Sequence, residues 1–238
     1  GGIIGGIIAS YSMKLTVVLS LIPLGSTLFL MFLLKEPGLK NNKEKRFSYQ
    51  IKNSLLEFIK NKQLIILSLT MFILLGLGES IFSLSSTFYS FKEIPLIYFG
   101  FLATSAFALS SIGSFISHPI SQRIGNKSTY IISIIFSIVF IFLATINEGV
   151  ISGILFVLPS IFYGIRSPIF SHFINIEISS EKRATMNSIF SLIEQLGIGI
   201  FSLFIALVSL KYPINEIYLI SCFIFVIVPI IFYFVKER

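Results

Sequence analysis

The sequence predicts an all-α protein, a polytopic bundle of helices that crosses a lipid bilayer several times. Hydrophobic residues make up 55% of the 238 residues and charged residues only 12%, about half the charged share of an ordinary soluble domain. The apolar residues are gathered in long uninterrupted runs, and a bilayer core about 30 Å thick needs about 20 of them in a helix. This composition excludes a water-soluble globule and a disordered chain.

Seven runs are long enough to span the bilayer. They are continuous and about twice as long as the alternating strands of a membrane barrel. The predicted spans are residues 15–34, 64–86, 97–116, 130–146, 151–174, 184–210 and 217–235. Gly1–Ser10 is apolar but too short to span, and no basic segment precedes it as in a signal peptide. We expect it to end an eighth span, so that the chain is a fragment of a longer protein.

The distribution of basic residues orients the predicted bundle. Most of the 18 Lys and Arg residues fall on one side of the membrane, whereas Lys14, Lys92 and Lys211 fall on the other. Cytoplasmic loops carry the excess of Lys and Arg, so we expect a cytoplasmic C-terminus and a multi-pass protein of the plasma or inner membrane. The net charge of +7 is thereby assigned to cytoplasmic loops, and no nucleic-acid partner is expected.

The basic segment 35–62 divides the chain into three parts. Residues 1–34 are predicted to end one transmembrane bundle, residues 35–62 to form a cytoplasmic linker, and residues 63–238 to form a second bundle. Apolar residues recur in the linker at helical spacing and predict an amphipathic helix on the inner leaflet. These residues are Phe47, Ile51, Leu55, Phe58 and Ile59. We prefer a plain connector over a regulatory surface.

A charged side chain at membrane depth is costly and points to a cavity or a partner. Glu79 is predicted about 24 Å from the cytoplasmic end of its span, and Ser83 and Ser86 follow it on the same helix face. Such a polar stripe faces protein or water. The functional interpretation is a carboxyl whose protonation drives transport. The alternatives are a neutral, hydrogen-bonded structural glutamate and a glutamate that reaches the outer interface.

Arg166 and Glu194 lie on consecutive predicted spans, about 13 to 15 Å from the cytoplasmic edge. If these spans are antiparallel neighbours, the two side chains form an ion pair. Asn187 and Ser191 share the helix face of Glu194. The functional interpretation is an anion-binding or gating pair in a cavity, and the alternatives are a structural ion pair or an arginine that reaches towards the cytoplasmic surface.

Prolines and small residues give a second signal. Pro159 and Pro168 flank Gly164 in the Arg166 span, and proline removes a backbone hydrogen bond and permits a bend. A bent helix fits a gate, but structural helices are bent as often. A four-residue repeat of small residues in the span 97–116 predicts close helix packing. The repeat is Ala106, Ser110 and Ser114.

The sequence offers no residue set for an enzyme. His118 and His172 do not have metal-ligand spacing, Asp is absent, and Cys222 is a single cysteine in an apolar run. Neither a phosphate-binding loop nor a G-x-S-x-G elbow is present. We therefore expect no catalytic activity, no metal and no cofactor, and the expected partners are the lipid bilayer, a small-molecule substrate and a coupling ion.

Two loops carry a family resemblance. The basic linker opens with Glu36-Pro37 and resembles the link between the sixth and seventh helices of Major Facilitator Superfamily transporters. The stretch His118–Lys127 is similar to that superfamily's loop motif G-x-L-x-D-R-x-G-R-K. Its matching residues are Arg123, Gly125 and Lys127. Gln122 stands where the motif has Asp.

Three further stretches add to the resemblance, and two of them point to drug-exporter-like members. Arg166–Asn175 and Arg183–Ser188 are similar to their tenth and eleventh helices, and Gly1–Gly6 resembles the end of the antiporter motif in the fifth helix. The resemblance implies the end of helix five, all of helix six and a complete C-terminal six-helix half. It also implies a missing N-terminal half that shares a midplane substrate site and alternating access.

The resemblance places Glu79 on helix seven and Arg166 on helix ten, which line the cavity in this superfamily, and Glu194 on helix eleven. The expected function is secondary active transport, with proton-coupled efflux of small amphipathic molecules. The alternatives are uptake of a metabolite or peptide by the same fold, and a non-transporting scaffold or degenerate half-transporter.

Overall fold

The computed structural model describes residues 2–33, 47–179 and 182–237, and all regular structure in these ranges is helical. The helices are α1 (Gly2–Tyr11), α2 (Met13–Leu33), α3 (Phe47–Lys60), α4 (Lys62–Ser83), α5 (Ser85–Phe91), α6 (Ile97–Ile124), α7 (Asn126–Ile146), α8 (Gly149–Val157), α9 (Pro159–Glu177), α10 (Arg183–Ser209), α11 (Ile214–Phe225) and α12 (Ile227–Phe232). The predicted polytopic helical bundle is confirmed.

Seven helical segments of the described chain are long and apolar enough to cross a membrane. Several of their ends differ from the sequence prediction. The span that begins at Ile97 continues as helix to Ile124, eight residues past the last apolar residue of the run, because polar side chains do not interrupt backbone hydrogen bonds. The span that holds Glu79 is instead interrupted at Leu84.

Two helix pairs pack at very close range in the second bundle. At Gly164 of α9, an added Cβ would overlap the carbonyl oxygen of Ser110 in α6, and Ser114 donates a hydrogen bond to the Gly164 carbonyl at 3.2 Å. At Gly76 of α4, an added Cβ would lie 2.7 Å from the carbonyl carbon of Gly197 in α10. The predicted close contact of the Ala106–Ser114 repeat is confirmed, and both pairs depend on glycine.

The N-terminal helices lie beside this bundle. α1 packs against α6, where an added Cβ at Gly6 would lie 2.9 Å from the Gly100 Cα atom. α2 has no buried side chain in the described structure. Because α2 contacts α1 but buries no side chain there, its apolar surface is available to lipid or to another helix bundle.

The linker helix α3 docks on the second bundle through one face. Phe58 is buried and packs edge-on against Phe190, with the ring centroids 5.5 Å apart. Glu57 forms an ion pair with Lys182 at the start of α10. Leu55 and Ile59 remain exposed. The side chains of Phe47 and Ile51 and the linker residues 35–46 lie outside the described residues, and the three-part division of the chain stays a prediction.

Lys92, which the sequence placed in an outer loop, is buried with only 1% of its side chain exposed. Its Nζ donates to the Thr145 carbonyl at 2.8 Å and to Glu148 Oε1 at 3.0 Å. The aromatic rings of Phe88 and Phe91 lie within 6 Å of the same ammonium. Lys92 thereby ties the end of α5 to the end of α7 and to the loop before α8.

Candidate functional site

Two adjoining cavities lie among the helices from α4 to α11, α5 excepted. The first has a volume of about 320 Å³ and the second of about 300 Å³, and Tyr163 and Arg166 line both. Most of the first cavity is apolar. Its polar lining residues are Glu79, Ser110, Ser137, Ser160, Tyr163 and Arg166. The cavities therefore offer one carboxylate and one guanidinium in a largely apolar wall.

Glu79 reaches this cavity because of how α4 packs. Gly76 and Ser80 face α10, where the Ser80 hydroxyl lies 3.1 Å from the Ser202 hydroxyl and donates to the Ile198 carbonyl at 3.2 Å. Glu79 is exposed and lines the first cavity. The cavity position is the one that the functional interpretation of Glu79 requires, and the role of Glu79 in transport stays a prediction.

Ser83 does not extend this polar surface. Its hydroxyl donates to the Ser80 carbonyl at 2.7 Å within the same helix, and neither cavity includes it. Serine hydroxyls in helices commonly donate to a backbone carbonyl of the preceding turn. The spacing of Ser83 from Glu79 therefore did not show whether the Ser83 hydroxyl would face the cavity.

Arg166 is held by neutral groups. Its Nη1 donates to the Ser137 hydroxyl at 2.9 Å, and its Cζ lies 5.5 Å from the centre of the Tyr163 ring. Its Nε is buried and has no hydrogen-bond partner among the described residues. Tyr163 precedes Arg166 by one helical turn, which is a spacing that the sequence could have shown, whereas Ser137 lies on another helix.

The expected ion pair of Arg166 with Glu194 is absent from the described residues, whose ion pairs are Lys92–Glu148 and Glu57–Lys182. The prediction of this pair was wrong because α9 packs mainly on α6 and α7, while α10 packs mainly on α4. Consecutive spans are therefore not the neighbours here. Glu194 instead lies within electrostatic range of Glu79.

The residues predicted to share a helix face with Glu194 do not all line a cavity. Asn187 and Ser191 line the second cavity, and Glu194 lines neither cavity. Among the residues of the predicted gating helix, Pro159 lines the first cavity and is the first residue of α9, after a break in the span at Leu158. Pro168 lies within α9 with an exposed side chain, away from both cavities.

The loop motif His118–Lys127, predicted to be cytoplasmic, contacts a residue from the C-terminal segment. Gly125 joins α6 to α7 with φ of 86°, and Glu237 Oε1 accepts hydrogen bonds from the backbone N–H groups of Asn126 at 2.8 Å and Lys127 at 3.3 Å. A carboxylate at a helix N-terminus stabilises the helix. Glu237 thus supplies a carboxylate to the motif in which Gln122 replaces Asp.

The remaining motif side chains make few contacts in this structure. Lys127 lies over the ring of Tyr233, with its Nζ 4.7 Å from the ring centre. Gln122 and Arg123 are exposed. The motif therefore connects the start of α7 to the C-terminal segment, and the sequence could not show this because Glu237 is more than a hundred residues away.

Alanine at Gly125 is expected to destabilise the fold by about 1–3 kcal/mol, because its backbone angles are essentially restricted to glycine. Crowding adds little, since the new Cβ would lie 3.5 Å from Glu237 Oε1, an ordinary contact. The thermal unfolding midpoint in detergent measures the effect. Gly25→Ala is the control, because its Cβ would meet nothing within 4 Å. Equal midpoints for the two variants would contradict the prediction.

The described residues contain no group of three or more His, Cys, Asp or Glu side chains that could hold a metal ion. The first cavity is largely apolar and holds one carboxylate and one guanidinium, groups that could bind a proton and an anion respectively. The roles of Glu79 and Arg166 stay predictions.

Comparison with known proteins identifies the family. The sequence profile of the Major Facilitator Superfamily matches residues 92–238. The chain belongs to this superfamily. The superfamily assignment and the helical spans together make it a multi-pass membrane protein. The drug-exporter-like subdivision stays a prediction.

Solved structures of the superfamily share the fold. One is the E. coli fucose:proton symporter FucP carrying a single substitution, with 19% sequence identity and a TM-score of 0.66. Another is FucP in the outward conformation, with 18% identity and the same TM-score. Each match covers 95% of this chain and 54% of FucP, so the chain spans about half the length of these structures. The comparison with curated proteins gave no match.

Proposed function

We propose that this superfamily member is part of a secondary active transporter that works by alternating access and couples proton entry to efflux of small amphipathic molecules. The supporting observation is the first cavity, in which Glu79 lies in a largely apolar wall within the membrane-spanning helices. An ionisable residue inside a membrane protein commonly marks a proton or substrate pathway. The protein would then lie in the plasma or inner membrane, with its C-terminus in the cytoplasm.

The complete site needs a second bundle. Alternating access in this fold uses two bundles around a substrate site near the midplane, and the chain spans about half of the FucP chain. We propose that an N-terminal bundle, beginning before α1, closes the other side of the cavity. The exposed surface of α2 fits a helix that belongs to that bundle.

Proton symport is the second candidate. One protein of similar structure is a fucose:proton symporter, and a carboxyl at Glu79 serves symport as well as antiport. Uptake of a metabolite by the same fold would use the same cavity and the opposite relation between substrate and proton flow.

The sign of proton movement separates these candidates. The full-length protein would be placed in liposomes that contain a pH-sensitive dye, and benzenesulfonate or phenyltrimethylammonium would be added outside. These amphipathic ions cross a bare bilayer slowly. Alkalinisation of the lumen as the ion enters supports antiport, as proposed, and acidification supports symport. The sign is independent of how the protein is oriented in the membrane.

A non-transporting scaffold predicts a different result. Neither ion would change the luminal pH beyond the change in protein-free liposomes, although the protein would be folded and inserted. That result would overturn the proposed function and both directions of transport with it.

A further inference from the structure

We infer that the substrate cavity selects organic anions, and that Arg166 is the residue that binds the anionic group. Because it names the substrate class of the same cavity, this proposal rests on the proposed function. It assigns Arg166 a direct role in specificity, separate from the proton-carrying role proposed for Glu79.

Arg166 carries a positive charge inside the helical bundle. An arginine side chain remains protonated in proteins, and a charge inside a membrane protein requires a partner or a water-filled cavity. The partners of Arg166 in the described structure are the neutral Ser137 hydroxyl and the ring of Tyr163. Neither of them balances its charge.

Glu79 and Glu194 are the acidic side chains predicted at membrane depth. Neither of them forms an ion pair with Arg166 among the described residues. No carboxylate of the described chain therefore lies within 4 Å of a guanidinium nitrogen of Arg166, and Arg166 lines both cavities.

The Arg166 guanidinium can also donate hydrogen bonds to a ligand. It has five N–H donors in a planar fork that matches a carboxylate, sulfonate or phosphate. Nη1 uses one of them on Ser137, and Nε is enclosed by protein, so the donors that a ligand can reach are those of Nη2 and the second N–H of Nη1. Because hydrogen bonds from a charged donor to an anion are stronger than those to a neutral acceptor, an oxyanion at these N–H groups would be bound in preference to a neutral group.

The remaining lining of the first cavity determines which kind of ligand body fits beside the anionic group. Apolar side chains from five helices line the first cavity together with Arg166. They include Leu75, Phe82, Phe107, Ile138, Phe156 and Phe225. The cavity volume of about 320 Å³ lies at the lower end of ligand pockets. The preferred ligand is thus a small molecule with one anionic group and an apolar or aromatic body.

Three probes of similar size test this selectivity by equilibrium binding to the purified full-length protein. They are benzenesulfonate, its neutral analogue benzenesulfonamide, and the cation phenyltrimethylammonium. We expect benzenesulfonate to bind about tenfold more tightly than benzenesulfonamide, because charge-assisted hydrogen bonds are about twice as strong as neutral ones. We expect the cation to bind least.

Variants then locate the preference. Arg166→Gln is expected to remove the tenfold difference, and Arg166→Lys to keep part of it, because lysine retains the charge without the fork. Arg183→Gln is the matched control, since Arg183 is exposed at the cytoplasmic start of α10. The Arg166→Lys result remains decisive if Arg166→Gln does not fold.

Equal binding of the three probes to the unmodified protein would overturn the inference, as would an undiminished anion preference in folded Arg166→Gln. If the probes still drive Glu79-dependent proton movement in liposomes, the proposed function survives that failure. Conversely, an Arg166-dependent anion preference without any probe-driven proton movement would support the binding site and overturn the proposed function.

Discussion

Gly164→Ala is expected to prevent stable packing of α9 on α6. The new Cβ would overlap the Ser110 carbonyl oxygen and would approach the Ser114 backbone nitrogen to 2.9 Å. These are backbone atoms, so the clash is relieved only if one whole helix moves. Overpacking of this kind costs roughly 3 kcal/mol at the upper end of its usual range. We expect a large loss of folded protein or a thermal midpoint lower by several degrees.

The chain supplies both a control and a reporter for this prediction. Gly199→Ala is the same substitution in the interior of a transmembrane helix, and its Cβ would meet nothing within 4 Å. Cys222 is buried and unpaired and is the single cysteine of the sequence, so a thiol-reactive fluorogenic dye reports its exposure on heating. A Gly164→Ala protein that unfolds at the same temperature as Gly199→Ala would refute the packing described for α6 and α9.

Glu79→Gln is expected to abolish substrate-driven proton movement in liposomes while leaving probe binding largely intact. Glutamine has nearly the same shape as a protonated glutamate but cannot release a proton. Because Glu79 lines the first cavity and is exposed there, the substitution should not disturb the packing of α4. The luminal pH dye measures proton movement, and equilibrium binding of benzenesulfonate measures the occupancy of the cavity.

Substitutions at two further glutamates show whether the effect is specific to Glu79. Glu93→Gln is the control, because Glu93 is exposed after α5 and lies outside both cavities. Glu194→Gln tests the second glutamate predicted for the proton pathway. Proton movement that persists in Glu79→Gln but disappears in Glu194→Gln would transfer the proton-carrying role to Glu194. Loss of binding together with proton movement would indicate that Glu79 holds the substrate.

The spans could be predicted from the sequence because membrane crossing depends on a local property, the length of an apolar run. The break at Pro159 was also local, since proline lacks the N–H group that would continue the helix. Helix pairing is not local. The sequence order suggested Arg166 beside Glu194, but glycine contacts at Gly76 and Gly164 select different partners for their helices.

The candidate site could be predicted in part. Glu79 and Arg166 were identified because charges are rare in apolar runs, and both line the first cavity. Ser137 gave no such signal, since serine is tolerated throughout transmembrane helices. Glu237 gave none either, because its two hydrogen bonds are made with backbone groups of a distant turn, and backbone groups carry no sequence information.

The burial of Lys92 affects how the membrane orientation of this protein can be mapped. Water-soluble amine reagents that cannot cross the bilayer modify lysines on the side from which they are added. Lys14 and Lys211 are exposed and present accessible amines, whereas the Lys92 ammonium is enclosed by Thr145, Glu148 and two aromatic rings. An unmodified Lys92 would therefore report its enclosure by protein and not a cytoplasmic position, so side assignments should be based on Lys14 and Lys211.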